Sequence, residues 1–165
     1  MVIKGSSWRF GNNISTDHII PGRFYHLRSN LDELKKHVFD DIAPGFYNKI
    51  KKGDIIVAGN NFGLGSSREH APLIIKMAGI DAIVANSFAR IFYRNAINVG
   101  LAAIICNMDD TEEGDVLEIK VDEGLLYNAT KGIEKKFSPL PPIMMDILKE
   151  QGLHNYIIKH GGFRV

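Results

Sequence analysis

Apolar runs separated by amphipathic stretches dominate the middle of the chain. Three short aliphatic runs, at residues 54–58, 82–85 and 101–105, have the length of buried strands. Between them, residues 71–77 and 88–99 carry apolar side chains at helical spacing, and a glycine ends each stretch. This alternation of strand and helix predicts a parallel β-sheet with right-handed crossover connections.

The flanking segments have a different periodicity. Residues 4–10 alternate weakly and predict a strand, and residues 31–39 predict a short amphipathic helix. Towards the C-terminus the pattern predicts antiparallel strands and then two short helices, at residues 116–121, 125–137, 143–149 and 153–159. We therefore predict one α/β domain over residues 1–165, with a parallel βαβαβ core and an antiparallel C-terminal portion.

The stretch that bears most on function joins the strand at residues 54–58 to the helix that follows. It reads Gly59-Asn60-Asn61-Phe62-Gly63-Leu64-Gly65-Ser66-Ser67-Arg68-Glu69-His70-Ala71-Pro72. A junction of strand, glycine-rich loop and helix directs unpaired N–H groups and the positive end of a helix dipole at one point. Arg68 can clamp a carboxylate, and a serine could become an alkoxide where donors hold its charge. The loop therefore predicts a site for a small anion and for proton chemistry on it.

Three better-known glycine motifs do not fit this loop. A Walker loop needs a lysine, which the loop lacks, and the dinucleotide fingerprint needs a third glycine where Arg68 stands. The nucleophile elbow needs Gly-x-Ser-x-Gly, but Ser66 follows Gly65 directly. A plainer interpretation is a turn in which Ser66 or Ser67 caps the next helix.

The fourteen-residue string resembles the signature of the aconitase superfamily in its small-subunit, or swivelling-domain, form. Ser15-Thr16-Asp17-His18-Ile19-Ile20-Pro21-Gly22-Arg23 is similar to the family's early loop. Asn86-Ser87-Phe88-Ala89-Arg90-Ile91-Phe92-Tyr93-Arg94-Asn95-Ala96 is similar to its second core helix. The resemblance runs from about Lys4 to the C-terminus and implies a swivelling three-layer β/β/α domain. Length and motif order are most similar to the small subunit of 3-isopropylmalate dehydratase, and also to that of homoaconitase.

This resemblance assigns roles to residues of the glycine-rich loop. Ser66 is expected to be the catalytic base, which takes a proton from the carbon beside a carboxylate and returns it on hydration. Its alkoxide needs the backbone donors of the turn that contains Gly63 and Gly65, and the charge of Arg68. Arg68 is expected to hold a substrate carboxylate, and Ser67 to donate a supporting hydrogen bond or to cap the helix.

Residues outside the loop are candidates for supporting roles and for substrate selection. Asp17 either orients Arg68 or the serine loop, or forms an Asx-type turn. His18 is expected to be structural or to face solvent, and His70 to support packing.

Residues 25–29 lie where related small subunits carry a loop that contacts the variable side group of the substrate. An isopropyl side group needs an apolar wall, which Leu27 could supply, whereas a further carboxylate needs a cation such as Arg28. The segment around Arg28 is one residue longer than in the family pattern, so both possibilities stay open.

Composition limits the remaining possibilities. The formal net charge of +1 offers no electrostatic case for nucleic acid or an anionic membrane, and the longest apolar runs are far too short to span a bilayer. No signal peptide is evident, which predicts a cytoplasmic protein. The six histidines have no HExxH-like spacing, so no metal site on this chain is predicted.

The cysteine count determines where an iron–sulfur cluster could be. Aconitase-type dehydratases use a four-iron, four-sulfur cluster held by thiolates. The chain has one cysteine, Cys106, which ends an apolar strand and is expected to be a buried hydrophobe. One cysteine cannot supply three ligands, so the cluster is expected on another chain.

Together these observations predict the small subunit of a two-chain iron–sulfur hydro-lyase that acts on a small di- or tricarboxylate, with the cluster on a large partner subunit. The resemblance favours isomerisation of 2-isopropylmalate and 3-isopropylmalate. Homoaconitase, or a dehydratase of another substituted malate, is the alternative within this class. A non-catalytic carboxylate- or phosphate-binding module and a self-sufficient lyase are alternatives from other classes.

Overall fold

A seven-stranded mixed β-sheet runs through residues 1–163, the part of the chain that the computed structural model describes. Its strands are β1 (Val2–Arg9), β2 (Asp54–Ala58), β3 (Ile80–Ala85), β4 (Ala102–Ile105), β5 (Val116–Lys120), β6 (Leu125–Asn128) and β7 (Ile133–Lys136). The strand order is β4-β3-β2-β1-β5-β6-β7. Strands β1 to β4 pair in parallel, and β1, β5, β6 and β7 pair antiparallel.

Strand β1 belongs to both halves of the sheet. Its end, Ser7 to Arg9, pairs in parallel with β2, whereas its first residues, Val2 to Ser6, pair antiparallel with β5. Near the change from one register to the other, the backbone of β1 passes very close to Gly53. A Cβ atom on Gly5 would overlap the carbonyl group of Gly53, so only glycine fits there without a shift of the backbone.

In the described part of the chain, seven short α-helices connect and flank these strands: α1 (Thr16–Ile19), α2 (Leu31–Leu34), α3 (Phe46–Lys49), α4 (His70–Ala78), α5 (Arg90–Asn98), α6 (Pro142–Lys149) and α7 (Leu153–His160). Two 3-10 helices lie at Gly22–Ser29 and Lys35–His37. Helices α4 and α5 are consecutive crossovers that advance the sheet in one direction, so right-handed connections place both on the same face, where they pack together. All five residues of β2 are buried, as expected for a parallel strand covered on both faces.

These elements confirm the predicted α/β fold with its parallel core, antiparallel portion and two closing helices. The helix predicted over residues 31–39 is wrong in its second half: α2 ends at Leu34, a 3-10 turn follows over Lys35–His37, and Phe39 has a left-handed φ of +58°. This change directs Val38 and Phe39 into the core, where both are at most 1% exposed. The prediction of one domain over residues 1–165 also covers Arg164 and Val165, which lie outside the described residues.

No helix within residues 1–163 is long and apolar enough to cross a membrane.

We expect Gly5→Ala to lower the free energy of unfolding by about 1–3 kcal/mol, because the new methyl group must displace the backbone at Gly53. Urea denaturation of the isolated chain measures this change. Gly11→Ala is the matched control, because no atom lies within 4 Å of a Cβ there. Equal effects of the two substitutions would contradict the close approach of β1 to Gly53.

Candidate active site

Three loops meet at the carboxyl ends of the parallel strands. They follow β1, β2 and β3, and Gly59 links them, because its N–H donates to Gly11 O (3.1 Å) and its carbonyl accepts from Asn86 N (3.0 Å). In open parallel sheets, ligands bind at this edge, in the crevice between such loops. The fold therefore places the glycine-rich loop, residues 59–69, where a binding site is expected.

The loop before and within α1 supports the glycine-rich loop from one side. Gly63 N donates to Ile14 O (2.7 Å), Thr16 N donates to Leu64 O (2.8 Å), and Thr16 Oγ1 donates to Ser66 O (3.0 Å). The carbonyl group of Ser66 also accepts from Arg68 N at 2.8 Å. Two donors therefore hold the peptide group that follows the Ser66 side chain.

The loop after β3 supports the glycine-rich loop from the other side. Phe62 N donates to Ser87 O (3.0 Å), and Asn61 N donates to Ser87 Oγ (2.7 Å). In return, Phe62 O accepts from Ala89 N at 2.9 Å, just before α5 begins. The glycine-rich loop is thus fixed between two segments that lie far from each other in sequence.

The two glycines singled out in the sequence have left-handed backbone conformations. Gly63 has a φ of +84°, and a Cβ atom there would overlap the ring of Phe92. Gly65 has a φ of +106° and lies close to Thr16. The N–H of Gly63 is engaged with Ile14, whereas those of Gly65, Ser66 and Ser67 make no hydrogen bond within residues 1–163. These three consecutive N–H groups are therefore available to a bound anion.

A cleft of about 440 Å³ separates this loop from the first turns of α5. It is lined by Thr16, Gly63, Gly65, Ser66, Ser67 and Arg68 on one side, and by Ala89, Arg90, Ile91, Phe92, Arg94 and Asn95 on the other. Ser66 and Ser67 are exposed, and neither hydroxyl group has a hydrogen-bond partner in the described part of the chain. Both hydroxyl groups are therefore free to contact a ligand.

The helix-cap interpretation of the serines is wrong. Helix α4 begins at His70, its N-cap position is Glu69, and no side chain caps it. Arg68 and Glu69 separate the serines from the helix, and Arg68 N donates back to Ser66 O in an irregular turn. The serine side chains therefore do not cap α4 and remain part of the loop.

Three contacts from residues 17–25 hold the side chain of Arg68. Its Nη2 atom lies 2.8 Å from Asp17 Oδ1, and its Nη1 atom donates to Ile20 O at 2.8 Å. Its guanidinium carbon lies 4.8 Å from the centroid of the Tyr25 ring. A guanidinium group has five N–H donors, so these contacts leave donors free for a carboxylate.

Asp17 lies in α1 and not in an Asx-type turn. Ser15 caps this helix in a reciprocal capping box: its Oγ atom accepts from His18 N (3.2 Å), and His18 Nδ1 accepts from Ser15 N (2.9 Å). His18 therefore has a structural part in the start of α1. The box fixes the turn that presents Asp17 to Arg68.

Leu27 and Arg28 lie on the 3-10 helix Gly22–Ser29, a segment for which the sequence predicted no helix. Leu27 is half-buried and packs against the core, and Arg28 is exposed. Neither residue lines the 440 Å³ cleft. The guanidinium carbon of Arg28 lies 5.0 Å from the Tyr25 ring centroid, so Arg28 and Arg68 contact the same aromatic side chain.

Sequence reasoning missed two arginines of the cleft. Arg90 and Arg94 lie one turn apart on α5 and line the cleft opposite the serines. Neither forms an ion pair within residues 1–163. Their spacing of four on an amphipathic helix could have indicated a shared face, but only the fold shows that this face meets the glycine-rich loop.

The residues of this chain do not fit an iron–sulfur cluster. Cys106 is the one thiol, it is 8% exposed, and burial raises the pKa of its thiol, which disfavours the thiolate that a cluster requires. No group of three or more His, Cys, Asp or Glu side chains that could hold a metal ion occurs in the described part of the chain.

A serine–serine–arginine loop at the carboxyl ends of parallel strands agrees with the aconitase-type domain that the sequence resemblance implies. Residues 12–108 match the model of the aconitase C-terminal domain. The chain belongs to this family.

Several relatives and a solved structure are similar to nearly the whole chain. The chain is 56% identical over 165 residues to 3-isopropylmalate dehydratase small subunit 2 of Archaeoglobus fulgidus, with 100% of each chain covered. It is 50% identical over 158 residues to the methanogen homoaconitase small subunit of Methanothermobacter thermautotrophicus, covering 96% of this chain and 92% of that one. The crystal structure of a 3-isopropylmalate dehydratase from Methanocaldococcus jannaschii superposes with a TM-score of 0.92 at 45% identity, covering 98% and 96% of the two chains.

Proposed function

We propose that this chain is the small subunit of a cytoplasmic, two-chain hydro-lyase that interconverts 2-isopropylmalate and 3-isopropylmalate by dehydration and rehydration. The observation that carries this proposal is the cleft in which the free hydroxyl group of Ser66 and the guanidinium group of Arg68 lie on one loop. The names of the full-length relatives support the same reaction.

Ser66 acts as the base in this proposal. It takes a proton from the carbon beside a substrate carboxylate, the carbon–carbon double bond forms, and hydroxide leaves the neighbouring carbon. Rehydration reverses these steps with the hydroxyl group on the other carbon. The unpaired N–H groups of Gly65, Ser66 and Ser67 and the nearby charge of Arg68 favour the negative charge on the serine oxygen.

Arg68 binds a substrate carboxylate, and Asp17 orients the guanidinium group of Arg68. A planar guanidinium group can form two parallel hydrogen bonds to a carboxylate, which fixes the direction of the substrate as well as its position. The ion pair with Asp17 and the bond to Ile20 O limit the rotation of this group before substrate arrives. Such preorganisation lowers the entropic cost of reaching the reactive geometry.

A large partner subunit completes the site. We infer that it carries the four-iron, four-sulfur cluster, which supplies Lewis acidity to the reaction, because the residues of this chain do not fit one. The exposed serines and the open cleft on this chain support a partner that covers them.

Homoaconitase is the alternative within the same class. One relative of this chain bears that name, and the exposed Arg28 offers a cation to a further carboxylate. Leu27, which offers an apolar surface, is packed against the core. A non-catalytic carboxylate- or phosphate-binding module is the alternative from another class, but anion capture by itself needs no pair of free serine hydroxyl groups.

Anaerobic reconstitution with a cluster-bearing large subunit tests this proposal. We expect alkene absorbance to change only in the mixture, with isopropylmalate turned over faster than homocitrate or homoaconitate. Preference for the tricarboxylates would favour homoaconitase and a role for Arg28. No turnover of any substituted malate in a formed, cluster-loaded complex would favour the binding module.

Ser66→Ala is expected to leave assembly intact and to lower kcat by about 10²–10⁴-fold, the usual contribution of a general base. Steady-state kinetics of the reconstituted enzyme and gel filtration measure the two effects. Ser67→Ala is the matched control and should cost much less, because Ser67 only supports the site. Turnover close to that of the wild type would exclude Ser66 as the base.

Arg68→Lys is expected to raise KM and to lower kcat, each by about tenfold or more, because a point charge cannot replace a planar fork that binds carboxylate in two places. Arg23→Lys serves as the control, since Arg23 pairs with Asp41 and does not line the cleft. Unchanged kinetics of Arg68→Lys would remove Arg68 from the substrate site.

A further inference from the structure

We propose that Tyr25 is a positioning residue: its aromatic ring packs against the guanidinium group of Arg68 and keeps that group in place. The inference deepens the proposed function, because its kinetic consequence rests on Arg68 binding a substrate carboxylate. Tyr25 lies on the 3-10 helix Gly22–Ser29 and does not line the cleft itself. It therefore acts through Arg68 and not through the substrate.

The three contacts of Arg68 differ in how firmly they can hold it. The Asp17 side chain is 70% exposed, so water and salt weaken its attraction to Arg68. The bond to Ile20 O fixes one nitrogen atom and by itself does not define the plane of the guanidinium group. The Tyr25 ring is half-buried and packed against the core, and its face 4.8 Å away restricts the remaining movement.

Arg28 also packs against the Tyr25 ring. The guanidinium carbon of Arg28 lies 5.0 Å from the ring centroid, and its Nη1 atom donates to the Tyr25 carbonyl group at 3.3 Å. Since Arg68 also lies within 5 Å of this centroid, the two charges are less than about 10 Å apart, roughly the Debye length in 0.1 M salt. They repel each other, and the negative face of the ring offsets part of that repulsion. Without the ring, we expect both guanidinium groups to move.

The contacts of Tyr25 involve its ring and not its hydroxyl group. The ring also meets His70 edge to face, with centroids 6.3 Å apart at 78°, and His70 is the first residue of the helix that follows Arg68. The hydroxyl group of Tyr25 makes no hydrogen bond within residues 1–163. Phenylalanine is therefore expected to replace tyrosine here, and leucine is not.

Steady-state kinetics of the reconstituted two-chain enzyme provide the first test. We expect Tyr25→Leu to raise KM for the preferred substrate about fivefold, with a smaller change in kcat, and Tyr25→Phe to restore the wild-type KM. Phe24→Leu is the matched control: Phe24 stacks on His37 and beneath Arg23 in the same 3-10 helix, and neither of these lines the cleft. An equal rise in KM for Phe24→Leu, or no rise for Tyr25→Leu, would overturn the inference.

The second test needs no activity and so separates this inference from the proposed function. In the full-length isolated chain, the ring current of Tyr25 should shift the side-chain NMR signals of Arg68, which Arg68→Lys identifies by their loss. Tyr25→Leu should abolish this shift, and Tyr25→Phe should keep it. An Arg68 signal that is the same in wild type and Tyr25→Leu would overturn the positioning role, even if the enzyme is an active dehydratase. A shift that follows the ring would support the role, even if wild type turns over no substituted malate.

Discussion

The hydrogen bonds that hold the glycine-rich loop between its two neighbouring segments are the constraint on which the site depends. Gly63 bonds to Ile14 on one side, and Phe62 bonds to Ser87 on the other. These and neighbouring bonds pair the backbone N–H groups of residues 59–63, whereas those of residues 65–67 make no hydrogen bond in the described part of the chain. A loop that is held by hydrogen bonds on both sides and has free donors beyond them is suited to bind negative charge with little reorganisation.

The parallel half of the sheet makes this arrangement possible. Consecutive crossovers bring the ends of β1, β2 and β3 side by side, so three loops that are distant in sequence become neighbours. Strand β1 also pairs with the antiparallel half, which anchors the edge of the parallel core to the rest of the domain. The site is therefore built on buried strands, and only its tip is exposed.

The cationic side chains around the cleft fall into two groups with different surroundings. Arg68 is enclosed by Asp17, Ile20 and Tyr25, whereas Arg90 and Arg94 face it from α5 without an ion-pair partner in the described residues. Enclosure fixes the direction of Arg68, which suits a group that must orient a substrate. The arginines of α5 add positive charge to the same cleft and favour the approach of an anion.

The sequence by itself determined the α/β class, the strands of the parallel core and the identity of the serine–serine–arginine loop, because these depend on local periodicity and on a contiguous motif. Tertiary structure alone decided how the loop is held and what surrounds it. Arg68 and Ile20 are 48 positions apart in the sequence, so no local pattern predicts their contact. The 3-10 helix at Gly22–Ser29 likewise escaped prediction, because its weak amphipathic pattern is overridden by packing of its aromatic side chains against the core. Long-range contacts of this kind form only when the sheet brings its loops together, so they become visible only in the folded chain.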